Sequence, residues 1–132
     1  MATKKQTREP VRDITERIKT FEDALKETGR PDVPEFTDAP EDIREYLRAQ
    51  YKATVIAEAL NEGWKADWHN SDQYKYFPWF YVSPSFFVFH GTDYHYSGPN
   101  AGSASRLCFR TSALAKYAGS QFLSIWKDLI MK

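Results

Sequence analysis

The chain has 132 residues, of which 42% are hydrophobic and 16% aromatic, with 18 basic against 18 acidic side chains. That length and composition point to one globular domain with its own core and exclude a disordered chain. The single cysteine, Cys108, excludes an internal disulfide, and no apolar run approaches the ~20 residues of a membrane helix.

Residues 1–12 are polar and basic, with Lys4, Lys5, Arg8 and Arg12, and read as a disordered tail. They contain no apolar stretch of the kind a signal peptide carries, so a cytoplasmic address is expected. From Asp13 onward a single domain is expected, 13–132. "DITE" is a capping box, and Ile14, Ile18, Phe21 and Leu25 fall on one helical face. "TFED" offers a second helix start at Thr20. Gly29 and Pro31 close the segment. Residues 30–37 form an extended linker held by Pro31 and Pro34, with Val33 and Phe36 tacking it to the core. The spacing then predicts a helix over 38–62, with Asp38 as N-cap, Pro40 in its first turn, and Ile43, Leu47, Tyr51 and Val55 as its stripe. Gly63 ends it. Trp64 and Trp68 follow in a loop, and Asn70–Asp72 make a turn.

Two strands come next, 74–82 and 86–90, joined by "SPS". Pro78 cannot donate to a ladder, so the first strand is an edge or is bulged there. "SRLCFRT", 105–111, reads as a third strand. Residues 91–104 join strands two and three, and a connection of that length is often functional. A last helix over 112–130 buries Leu114, Ala118, Phe122, Ile125 and Leu129. The expected fold is therefore α+β: a three-stranded antiparallel meander with about three main helices, in the order α-α-β-β-β-α.

Three segments carry a resemblance: "ALNEGWKADW", "QYKYFPWF" and "SRLCFRTSALAKYAGSQF". They resemble an uncharacterised family of small proteins from Bacteroidetes and their phages, over roughly residues 13–130. Ala66 departs from the proline expected there. The resemblance implies a bacterial or phage source, with the virion as a second address if the protein is structural. It implies no activity.

The chemistry-bearing patterns are sparse. His90, Asp93 and His95, with His69 nearby in sequence, supply metal-ligand residue types, but H-x2-D-x-H matches no established ligand spacing. "SGPNAGSASR" lacks the Lys and following helix of a phosphate loop. Cys108, Ser103 and Ser105 have no activating context, and Asp67 and Asp72 lie in turns, where carboxylates serve as caps. No catalytic residue and no cofactor are assigned.

The aromatic run is the outlying feature. Thirteen of the 21 aromatics lie between Trp64 and Tyr96. Strand alternation places Phe77, Trp79 and Tyr81 on one face and Phe80 on the other, and separates Phe87 and Phe89 from Phe86, Val88 and His90. Both faces are apolar, so either helices cover both or one face receives a partner. In the third strand, Arg106 and Arg110 share a face. Arg106, Arg110, Trp79, Tyr81, Phe87, Tyr94 and Tyr96 are the candidate ligand-binding residues. Three function classes follow: a non-enzymatic module that binds a protein partner, a single-stranded nucleic-acid binder stacking bases on rings with arginines on phosphates, and an enzyme using the 90–105 loop. The charge split, 12 basic to 16 acidic in 1–73 against 6 to 2 in 74–132, suits the second class or pairs the two halves with each other.

Overall fold

The computed structural model describes residues 13–95 and 105–132, with the side chains of 93–95 and 105 outside the description. The fold is α+β. Among the described residues, five α-helices pack together and, through α4 and α5, against one face of a two-stranded antiparallel hairpin: α1 (Ile14–Arg17), α2 (Phe21–Thr28), α3 (Arg44–Asn61), β1 (Lys75–Ser83), β2 (Phe86–His95), α4 (Ser112–Gln121) and α5 (Leu123–Met131). None of the described helices is long and apolar enough to cross a membrane. The basic tail expected over 1–12 lies outside the described residues.

The first helical segment breaks at Thr20, where the hydroxyl accepts from Asp23 N–H and the Asp23 carboxylate accepts from Thr20 N–H. That reciprocal box starts α2 afresh. The carbonyls freed by the break are taken by α4: Tyr117 donates to Ile18 (2.6 Å) and Gln121 to Lys19 (2.8 Å). Gly29 ends α2 in the left-handed region, φ 73°.

Asp38 does not cap the next helix. Phe36 takes φ 57°, Ala39 N–H closes a turn onto the Phe36 carbonyl, and a 3-10 turn, Glu41–Ile43, precedes α3. Arg44 then reaches back and donates to the Ala39 (2.8 Å) and Thr37 (2.9 Å) carbonyls, so a side chain ties the linker to the helix. α3 is central. It packs against α2, α4 and α5, and buries Ala49, Ala53, Val55, Ile56, Ala57, Ala59 and Leu60. Its small residues let neighbouring helices approach, which is how a core forms around one alanine-rich helix.

The C-terminal helix divides at Phe122. The indole of Trp126 donates to the Ala118 carbonyl (3.0 Å), satisfying a group near the break, and Phe122 and Trp126 are both buried. Of the predicted stripe, Leu114, Ala118 and Phe122 are buried, while Ile125 and Leu129 beyond the kink are half-buried against the core.

The three-stranded meander is not formed. Residues Ser105–Leu107 make a 3-10 turn, and only Phe109 pairs with β1, exchanging both backbone bonds with Tyr76 (3.0 and 2.7 Å). On either side of Phe109 the Asn61 side chain replaces a strand neighbour: it donates to the Cys108 carbonyl (3.0 Å) and accepts from Arg110 N–H (3.0 Å). Leu107, Cys108 and Phe109 are all buried, with none of the alternation a one-sided strand would show. The segment is a core-filling stretch stapled by one asparagine. β2 is longer than expected and runs to His95, so the predicted 91–104 loop begins inside a strand, and its 96–104 portion lies outside the described residues.

Candidate functional site

The hairpin separates its aromatic residues into two environments. On the inner face Phe80 stacks on Phe87 (4.8 Å between centroids) and contacts Phe89 and Trp126. Helices α4 and α5 cover this side. Gly119 makes the approach possible, since a Cβ there would lie 2.6 Å from Phe89 and 2.8 Å from Pro78. Phe87 is therefore core, 7% exposed, and not part of a binding face as the sequence reading had placed it.

The outer face is uncovered among the described residues. Trp79 (47% exposed), Tyr81 (54%), Phe86 (50%) and Val88 (42%) stand out from it. The Trp79 ring packs beside Phe77 and the Tyr81 ring beside His90, 4.2 Å away. Trp79 pairs with Gly91 and Phe80 with Phe89, so His90 is the extra residue of a bulge. The bulge falls one residue after Pro78, and the proline's missing N–H weakens the ladder there. From Tyr76 to Thr92 the chain has no Asp, Glu, Lys or Arg.

The arginines lie elsewhere. Arg110 pairs with Glu62, whose other oxygen meets Arg17, and Arg17 also holds Glu27 at 2.6 Å. Arg110 thus binds the C-terminal end of α3 to the chain's last third, a structural task. Arg106 is exposed on its 3-10 turn and lines a cleft distinct from the hairpin face. The strand parity that put Arg106 and Arg110 together does not apply, because no strand forms there. Tyr96 lies outside the described residues. So do the side chains of Tyr94, Asp93 and His95, and with them most of the candidate metal set. His90 is exposed and set against Tyr81. No group of three potential metal ligands gathers among the described residues.

The cleft is about 850 Å³. Its walls come from the end of α2 and Arg30, the last turns of α3, the 63–68 segment, and the Arg106–Cys108 stretch. Glu62 ends α3 in the left-handed region, φ 50°, followed by Gly63 at φ 90°. A non-glycine residue there costs on the order of 1 kcal/mol, and its carboxylate is received by two arginines. Arg30 closes on Glu58 at 2.9 Å. Beneath Trp68 lies Lys75, fully buried, with Nζ donating to the carbonyls of Gln73 (2.9 Å) and Asn70 (3.2 Å), 5.1 Å from the Trp68 ring centroid. That buried lysine holds the 67–73 turn in place. Burial pushes the Cys108 thiol above its ordinary value, which disfavours its thiolate. Sequence reasoning missed the cleft. Its only advance signal was the pair Trp64 and Trp68 beyond a helix-ending glycine.

No family model matches the chain, and no curated protein or solved structure matches it either.

Proposed function

We propose that this chain is a non-enzymatic interaction module, of the accessory kind that phages and mobile elements encode, docking a protein partner on the outer face of the β1–β2 hairpin. The phage or mobile-element origin rests on the resemblance of its three segments alone. The docking reading rests on one observation: Trp79, Tyr81, Phe86 and Val88 stand exposed together on a hairpin that carries no charged residue from Tyr76 to Thr92. Roughly half of three large aromatic side chains and part of a valine amount to on the order of 400 Å². A patch of that size on a monomer is often functional, and it would supply about half of one side of a standard interface.

The absence of charge sets the partner's chemistry. Nucleic-acid platforms combine rings with cations that meet phosphates, and here the rings have no cation beside them in the ladder. An uncharged, apolar protein surface is the complement.

The test compares the wild type with Trp79→Ser/Tyr81→Ser. The double variant should keep its thermal midpoint, because both rings are already half in water. A protein captured from host lysate by the wild type, identified, and retained at high salt should be lost by the variant. Concentration-dependent sedimentation abolished in the variant would name a second copy of this chain as the occupant. A partner held equally by both proteins, or a bound nucleic acid released by salt, would overturn the reading.

A further inference from the structure

We propose that the cleft between α2, the end of α3 and the Arg106–Cys108 stretch binds a small organic anion carrying a planar ring, with Arg106 receiving the charge and Trp64 the ring. This site is separate from the hairpin face and does not depend on the docking proposal.

The cleft's walls carry three carboxylates, Glu27, Glu58 and Glu62, and three cations, Arg30, Lys65 and Arg106. Taken alone they balance. The carboxylates, however, are already satisfied without two of those cations. Glu58 is paired with Arg30, Glu27 with Arg17, and Glu62 with Arg17 and Arg110. Arg17 and Arg110 come from outside the walls. Arg106 and Lys65 are left over, with no carboxylate in ion-pair reach of either among the described residues. The C-terminal end of α3 also points its carbonyls this way, but a helix end contributes only about half a negative charge. Two unspent cations outweigh it, so the cleft is net attractive to an anion.

The rings set the rest of the ligand. Trp64 and Trp68 both line the cleft and both are half-buried. The Trp68 ring already has Lys75 Nζ over it. Trp64 makes no ring contact with any described aromatic, so its indole is available for stacking. An exposed arginine with its full set of donors recognises a carboxylate or phosphate in a forked arrangement, and an indole face stacks on a planar ring. The volume of about 850 Å³ is of ligand-pocket size. The left-handed Glu62 is the device that turns the chain at Gly63 and delivers Trp64 to the wall, held by its two arginines.

Two sources share this chemistry, a nucleoside monophosphate and an aromatic carboxylate. Indole N–H resonances of the four tryptophans, assigned by Trp→Phe substitution, provide the readout. Adenosine monophosphate, uridine monophosphate and indole-3-acetate are titrated at low salt, with adenosine and ribose 5-phosphate as the ring-only and charge-only controls. The Trp64 and Trp68 signals should move while those of Trp79 and Trp126 stay. Both controls should bind at least about tenfold more weakly than the monophosphates. The tighter of the monophosphate and carboxylate arms identifies the source. Arg106→Ala should weaken binding about tenfold with the thermal midpoint unchanged, and Arg106→Lys should recover part of it, because lysine keeps the charge and loses the fork. No movement of Trp64 and Trp68 with any of the three anions would overturn the proposal. Equal binding by Arg106→Ala, or by adenosine and its monophosphate, would overturn it as well.

Discussion

Asn61 is the side chain on which the unusual 105–111 segment depends, and replacing it is the sharpest test of the architecture. It is 5% exposed and makes two bonds of 3.0 Å, donating to the Cys108 carbonyl and accepting from Arg110 N–H. Asn61→Ala removes both at once. The Cys108 carbonyl is left without its asparagine partner in the interior, where an unmet polar group costs about 1–3 kcal/mol. The Arg110 N–H is half-buried and can recruit water, so its share is smaller. A loss of about 2–4 kcal/mol is expected. For a domain of this size about 1 kcal/mol moves the midpoint by roughly 3–5 °C, so the variant should melt about 6–20 °C lower. Asn61→Asp retains the acceptor for Arg110 but has no donor for Cys108, and it sets a second carboxylate next to Glu62. It should be at least as destabilising. Thermal and urea unfolding of both variants, with their m values compared, decides the matter. An Asn61→Ala midpoint within about 3 °C of wild type at an unchanged m value would show that the segment is held by Phe109 burial alone.

Gly119→Ala should destabilise although alanine is the better helix former by about 1 kcal/mol. The new Cβ would stand 2.6 Å from Phe89 and 2.8 Å from Pro78, and overpacking of that kind costs about 1–3 kcal/mol; a raised melting temperature would refute the close helix–hairpin contact. Asp23 accepts from Lys19 and Thr20 N–H, and these bonds, Lys19's first, hold its carboxyl below the ordinary 3.8. Its folded pKa is lower than its unfolded one, so its stabilisation is complete above the unfolded value and lost as pH falls through the folded value. The gap in melting temperature between wild type and Asp23→Ala should be steady above about pH 5 and narrow below about pH 4; a gap that widens in acid would contradict the capping box. Cys108 is buried and its thiol is raised by desolvation, so a thiol reagent at neutral pH should label it slowly in the folded protein and rapidly in urea. Fast labelling of the native state would mean that the 105–111 stretch opens readily.

How much of the fold was legible depends on whether a signal is local. The break at Thr20 could be read because the capping box is spelled within four residues, Thr20 to Asp23. The break at Phe122 could not, because Leu114, Ala118, Phe122, Ile125 and Leu129 keep helical spacing straight through it. At the division Phe122 leaves helical geometry, φ −112° and ψ 35°, while the Trp126 indole adds a bond to the Ala118 carbonyl, an arrangement without a sequence signature. Asp38 before Pro40 had the right chemistry for a cap, but the chain turns first, with Ala39 N–H on the Phe36 carbonyl, and a 3-10 turn over Glu41–Ile43 makes the helix start later. "RLCF" carried strand-like residues, and their identity did reflect burial. It could not say that Asn61, nearly fifty residues earlier, would stand in for a neighbouring strand.

The same distinction governs the sites. Strand parity sorted the residues of β1 and β2 into two faces correctly even across the bulge, because the extra residue, His90, sits between Phe89 and Gly91 and leaves the order on β1 intact. Parity says which side chains of one strand share a face. It does not say which face of β2 meets which face of β1, and so Phe87 was grouped with Trp79 and Tyr81 although it pairs with Val82 on the inner face under α4 and α5. The cleft draws its lining from four separate stretches of chain, and no periodicity connects Arg30, Glu58, Trp64 and Arg106. The hairpin face and the cleft share no lining residue. Arg106 and Trp79 are therefore independent handles: a change at one should leave the function of the other intact. If Arg106→Ala were to abolish capture of a protein partner while Trp79→Ser/Tyr81→Ser left it untouched, the partner would be docking at the cleft, and the exposed rings of the hairpin would need a different occupant.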